Sequence, residues 1–265
     1  MKENTIKRRL AKGSIVLGTM AQEFMTPALL PLARSAGAEF VLLDLEHPAW
    51  SLETLRSVIA AGAATDVVPI VRVPDAEYHF VARVLDAGAL GVMIPNCESA
   101  DEARAVVEWA KYPPAGKRGF GIPRHELEPE GVAATQLKAN DEQMVLVQIE
   151  SADGVEQVEE IAAVDGVDVI WVGHFDLTNS LGIPGEFEHE LYEDAIGRVV
   201  RAGNAAGKPL GLLVGSVADG RRYLELGFSC FAYAIDTWLY EDALRAGLDE
   251  LRSSAETRGS SPRTP

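Results

Sequence analysis

Cysteine is almost missing from this chain. Cys97 and Cys230 are the two among 265 residues, too few for a disulfide framework and without metal-ligand spacing, so both read as reduced thiols in the core or near the surface. Long apolar runs are missing too: no segment would serve as a membrane span or a signal peptide, and the expectation is a cytoplasmic protein with no membrane partner. Positive charge is scarce, with 24 Lys and Arg against 40 Asp and Glu and a formal net charge of -16. Such a chain repels nucleic acid and anionic lipid, which disfavours polyanion binding. The one basic cluster, Lys7-Arg8-Arg9 with Lys12, is short, and beside Ile6 and Leu10 on a helix it reads as a solvated face.

Hydrophobic residues make up 47% of the chain, enough for a sizeable core, and the length suits one large α/β domain or two small ones. Helical stretches alternate with short apolar runs. Eight strands are predicted: Ile15–Met20, Phe40–Leu45, Val68–Val73, Gly91–Pro95, Met144–Glu150, Val167–Gly173, Pro209–Val214 and Phe228–Ala234. Gly37, Gly62, Gly88, Gly166, Gly207 and Gly227 stand just before six of them, where a helix C-terminus calls for positive φ. Ser99-Ala-Asp-Glu102 and Ser216-Val-Ala-Asp219 fit the capping-box pattern, and Ser51 and Asp75 are further N-cap candidates. Strand alternating with helix implies a parallel sheet, and eight such units fit a single-domain (β/α)8 TIM barrel over residues 1–252 better than a doubly wound sheet. The polar tail, 253–265, reads as disordered.

The stretch Phe40-Val-Leu-Leu-Asp-Leu-Glu-His47 is an apolar strand ending in Asp44, Glu46 and His47. Charge is expensive in a core, so such an ending marks either a salt-bridged corner or an active site. Barrels carry their chemistry at strand C-termini. Strand three carries Arg72, strand five ends in Gln148 and Glu150, and strand six leads into Gly173-His-Phe-Asp176. Period-two alternation places Gln148 and Glu150 together, aimed into the barrel mouth if Val147 and Ile149 lie under the helices. Glu150 and Asp176 with a nearby amide oxygen make a hard donor set suited to Mg²⁺ or Mn²⁺. The Pro- and Gly-broken stretch from Tyr112 to Asn140 is long enough to be a functional loop, and Leu181-Gly-Ile-Pro-Gly185 forms a second one.

Each residue also has a purely structural role open to it. Glu150 and Arg72 can form an interior ion pair, Asp176 can cap a helix, and His47 can bond loop backbone. Asp86, in Val84-Leu-Asp-Ala-Gly88, is by local sequence an ordinary helix-end residue.

Leu43-Asp-Leu-Glu-His47, Val71-Arg72, Tyr112-Pro-Pro-x-Gly-x-Arg-Gly119, Val147-Gln-Ile-Glu150 and Gly173-x-x-Asp-Leu177 together resemble the HpcH/HpaI family of metal-dependent pyruvate aldolases, from about Ile6 to Leu251. The resemblance implies a (β/α)8 barrel in a hexamer, a trimer of dimers that exchange their last helix. It implies a divalent cation (Mg²⁺, Mn²⁺ or Co²⁺) on Glu150 and Asp176, with Arg72 stabilising an enolate oxygen. His47 would be the base, held and polarised by Asp44 and Asp86. Gln148 would contact the substrate, and the N–H groups of Phe175 and Asp176 would take its carboxylate. The implied reaction is reversible cleavage of a 4-hydroxy-2-oxo acid to pyruvate or hydroxypyruvate and an aldehyde.

Three departures bear on specificity. Gly173-His-Phe-Asp176 replaces the family's common Gly-Pro-Ala-Asp, Met20 stands where the prototype has Trp, and Gly121-Ile-Pro-Arg-His125 differs from the family pattern. Oxaloacetate decarboxylation and lysis of a coenzyme A thioester, as in citrate and malyl-CoA lyases, are the alternative activities. A barrel that has lost catalysis is the remote one, opposed by the intact set His47, Arg72, Glu150 and Asp176.

Overall fold

In the computed structural model, which describes residues 2–259, eight parallel strands close into a barrel in chain order. They are β1 (Val16–Ala21), β2 (Phe40–Asp44), β3 (Val68–Arg72), β4 (Gly91–Ile94), β5 (Met144–Ile149), β6 (Val169–Val172), β7 (Leu210–Val214) and β8 (Cys230–Ile235). All eight expected strands form, with ends shifted by a residue or two. β1 pairs with β8 and completes the ring.

Side chains alternate between two cores, as the pleat demands. Val41, Leu43, Val71, Val145, Val147, Ile149 and Val172 pack outward under the helices. Phe40, Leu42, Val68, Ile70, Met144, Leu146 and Trp171 fill the barrel, and Ile6 and Leu10 of the N-terminal helix Thr5–Leu10 join this inner core. The basic cluster on that helix is bound up in ion pairs: Lys7 with Asp168, Arg8 with Glu142 and Arg9 with Glu39. It is therefore an anchored patch more than a solvated face.

Five of the six expected glycines have positive φ, from 65° at Gly207 to 105° at Gly88. Gly62 differs. Its φ is -81°, and an added Cβ would collide with the Leu30 side chain, so close packing selects glycine there. Ser51, Ser99 and Ser216 cap their helices as expected. Asp75 does not: helix Tyr78–Asp86 starts two residues later, behind Glu77, and Asp75 bonds the Ala76 N–H instead.

Helix Val132–Glu142 occupies the later part of the Tyr112–Asn140 stretch. The remaining loop follows helix Ala100–Ala110 and so lies at the end of the barrel opposite the strand C-termini. The last helix runs Asp236–Gly259 and is exposed from Leu239 to Ala255, so ordered helix passes the expected tail boundary at Ser253. The rest of that tail, 260–265, lies outside the described residues. Among the described residues, no helix is long and apolar enough to cross a membrane.

Candidate active site

The inward-facing sets of β2, β3 and β5 end in polar groups at the barrel mouth. Phe40, Leu42 and Asp44 alternate along β2, while Val68, Ile70 and Arg72 do the same along β3. Register sets Asp44 directly against Arg72. The guanidinium grips the carboxylate with both arms, Nε at 2.9 Å from Oδ1 and Nη2 at 2.8 Å from Oδ2. Asp44 also accepts the side-chain amide of Gln22 at 2.9 Å and the Glu46 N–H at 3.0 Å. Burial opposes ionisation of Asp44, but the Arg72 hydrogen bonds and charge override it and hold the carboxyl below its ordinary value. Arg72 is pressed the other way by burial, and its acidic neighbours keep it charged.

Gln22 is itself fixed from three sides. Its N–H donates to Asp236, its carbonyl accepts the Trp50 indole N–H at 2.5 Å, and its amide reaches Asp44. Asp236, at the start of the last helix, also accepts the N–H groups of Glu23 and Phe24.

Glu46 lies 3.0 Å from Arg72 Nη1, with Oε2 buried and lacking a hydrogen-bond partner. His47, 57% exposed at the mouth, has its Nε2 4.0 Å from that same oxygen. The structure thus gives His47 a different neighbour from the two expected. Asp44 is fully engaged with Arg72, Gln22 and backbone. Asp86 closes helix Tyr78–Asp86 at the opposite end of the barrel and pairs with Arg118 at 2.6 Å. Within one chain, neither holds His47.

Gln148 on β5 and Glu150 just past its end share the inward side, as alternation predicts. Glu150 accepts the Asn96 N–H at 2.6 Å on Oε1 and the Gln148 amide on Oε2. Asn96 presents that N–H from a left-handed conformation, φ 46°, which asparagine tolerates better than most residues. Burial drives Glu150 up to about 7, with Glu46 and Asp176 adding repulsion. Glu46 is raised for the same reasons, burial first. Gly173 passes so close to Glu150 and Gln148 that any Cβ would overlap both side chains. It leads directly into the short helix His174–Ser180, which carries Phe175 and Asp176. Burial lowers the His174 imidazole to about 4.

Arg72, His47, Gln148, Asp176, Gln22 and Trp238 are among the residues lining one cavity of about 180 Å³. The buried Oε1 of Gln148 has no hydrogen-bond partner. A larger cavity, about 660 Å³, opens beside Asp86 and His125 and shares none of these residues. Among the described residues, no group of three or more His, Cys, Asp and Glu side chains is arranged to hold a metal. Glu150 and Asp176 alone would leave most of a cation's coordination sphere to substrate and water. Sequence reasoning missed Gln22, Asn96, Asp236 and Trp238; only the Pro95-Asn96 pair carried a turn signal.

A sequence profile described as HpcH/HpaI aldolase/citrate lyase matches residues 23–243. The chain is 36% identical over 265 residues to a hydroxypyruvate/pyruvate aldolase of Paraburkholderia phytofirmans, covering 94% of this chain and 98% of the other. It is 32% identical over 251 residues to a 2-keto-3-deoxy-L-rhamnonate aldolase of Escherichia coli, 94% of each chain. Among solved structures, an HpcH/HpaI aldolase from Desulfitobacterium hafniense aligns with a TM-score of 0.88 at 31% identity, over 93% of this chain and 96% of that one.

Proposed function

The chain belongs to the HpcH/HpaI aldolase/citrate lyase family and is a carbon–carbon lyase, and from that premise we propose that it reversibly cleaves 4-hydroxy-2-oxo acids to pyruvate or hydroxypyruvate and an aldehyde. The observation that carries this reading is Arg72, clamped by Asp44 and lining one small cavity with Asp176, whose charge also acts on the buried carboxylate of Glu150.

Arg72 is preorganised to receive negative charge on an enolate oxygen, an effect worth several kcal/mol in a water-poor site. Gln148 Oε1 is positioned to accept from the substrate, and the N–H groups of Phe175 and Asp176, in a first helical turn without intrahelical acceptors, would take its carboxylate. His47 would remove the proton from the C4 hydroxyl during cleavage and return it to the aldehyde oxygen during addition, with Glu46 the carboxylate beside it.

Mutual repulsion and burial at Glu150 fit a divalent cation, Mg²⁺, Mn²⁺ or Co²⁺, held by Glu150 and Asp176. When bound, such an ion neutralises that charge and polarises the keto group of a 2-oxo acid. Oxaloacetate decarboxylation would use the same enolate machinery. A coenzyme A thioester fits less well: among the described residues, Arg72 is the lysine or arginine lining the cavity, and it is committed to Asp44 and Glu46.

A homo-oligomer belongs to the same reading. The exposed leucines of the last helix would bury against a second copy, and Asp86 would approach a His47 only from another subunit. The two buried free thiols suit a reducing cytoplasm. The test is aldol synthesis: pyruvate, glycolaldehyde and Mn²⁺ with purified protein should give the 4-hydroxy-2-oxo acid. No product from pyruvate or hydroxypyruvate with short aldehydes, together with cleavage of a coenzyme A thioester, would replace this reading with the lyase one.

A further inference from the structure

The cavity's floor and rim differ in chemistry. Arg72 and Gln148, both buried, supply the polar floor, with Asp176 exposed at the edge, whereas Met20, Leu42, Trp171, Leu213 and Ile235 supply apolar lining. At about 180 Å³ the space is below the usual 300 Å³ or more of a drug-sized ligand pocket, so a three-carbon oxo acid fills much of it. The remainder of a longer substrate must extend over the rim.

That rim is an aromatic wall built from three parts of the chain. Phe175, from the helix after β6, is 48% exposed although its ring is fixed on several sides. It meets Trp238 of the last helix edge-on at 6.4 Å, Phe187 of the following loop edge-on at 5.3 Å, and His174 at 4.5 Å. Phe187 is braced in turn by Tyr192 at 5.7 Å. A lone exposed apolar side chain needs no explanation, but a braced ring beside a reactive floor is a preformed surface. Nor, within one chain, does the rim carry a spare cation. Arg72 is the only lysine or arginine that lines the cavity among the described residues, and Asp44 and Glu46 already hold it.

Resting on the aldolase reading, we propose that the acceptor aldehyde carries an uncharged, planar apolar substituent, stacked against Phe175 and Trp238, and not a second carboxylate. In the addition step, the enolate carbon bonds to the aldehyde carbon, and the carbonyl π pair moves to oxygen, which takes a proton. The substituent stays on the wall throughout.

The experiment compares kcat/KM for carbon–carbon bond formation from pyruvate with benzaldehyde, acetaldehyde and succinic semialdehyde, using Mn²⁺-supplemented protein. Benzaldehyde should exceed succinic semialdehyde by about tenfold or more, and Trp238→Ala should lower the benzaldehyde-to-acetaldehyde ratio by about tenfold. Succinic semialdehyde matching benzaldehyde overturns the inference, as does a Trp238→Ala protein that loses both aldehydes equally. Deuterium exchange into the pyruvate methyl group, measured alongside, separates the layers. Exchange without aromatic preference removes this inference and leaves the enolate chemistry standing; absence of exchange removes both.

Discussion

Arg72 and Asp44 act as one unit. Both are buried, so removing the carboxylate strands a guanidinium away from water. Asp44→Ala should destabilise the fold by about 3–5 kcal/mol in urea unfolding and abolish turnover, whereas a surface ion-pair deletion such as Glu159→Ala should cost under about 1 kcal/mol. His47 is different because it is exposed and makes few contacts. His47→Ala should keep its melting temperature and pyruvate proton exchange but lose aldol cleavage, and equal loss of both activities would contradict its assignment to the hydroxyl proton. The sequence made the carboxylates, Arg72 and His47 visible because an apolar strand announces charge at its end. It hid their partners: the Asp44–Arg72 pairing depends on register between β2 and β3, the two residues lying 28 apart in the chain, and the Gln22–Asp44 bond on the pairing of β1 with β2. Asp86 shows the reverse, since local sequence made it a helix end and the structure agrees.

Among the elements, strands were the most legible and helix roles the least. Period two predicted Gln148 and Glu150 inward because a barrel strand has one inner face and one outer. The last helix offers no such constraint. Tyr240, Leu244, Leu248 and Leu251 follow one another at spacings of four, four and three and form one exposed stripe. Burying that stripe needs another surface. Leu244→Glu with Leu248→Glu should convert an oligomer to smaller species in sedimentation velocity while far-UV circular dichroism is retained; a wild-type monomer would show that the stripe has no self-partner. This helix also starts at Asp236, which ties the element to the site through Gln22. Its position therefore matters to Asp44.

The whole molecule carries an excess of negative charge, yet its stability profile contains one buried lysine that acts in the opposite sense. Burial, then the nearby charge of Lys7, lowers Lys111 from 10.5 to about 7, while its ammonium donates to the Asn140 and Gln143 carbonyls. Below about pH 7 both folded and unfolded chains hold that proton, and the folded state bears the full penalty. Between about 7 and 10.5 the folded state sheds it first, so this contribution to stability rises with pH. The difference in unfolding free energy between wild type and Lys111→Met should shift in favour of wild type from pH 6 to pH 9; a flat difference would mean that Lys111 stays charged. For the barrel as a catalyst, the most direct measurement is deuterium incorporation into the methyl group of pyruvate in D₂O, followed by NMR with added Mn²⁺ and again after EDTA. Enolate formation at Arg72 predicts exchange that requires the cation and disappears in Arg72→Ala protein that remains folded. Lack of exchange with both pyruvate and hydroxypyruvate, in protein shown to bind Mn²⁺, would contradict it.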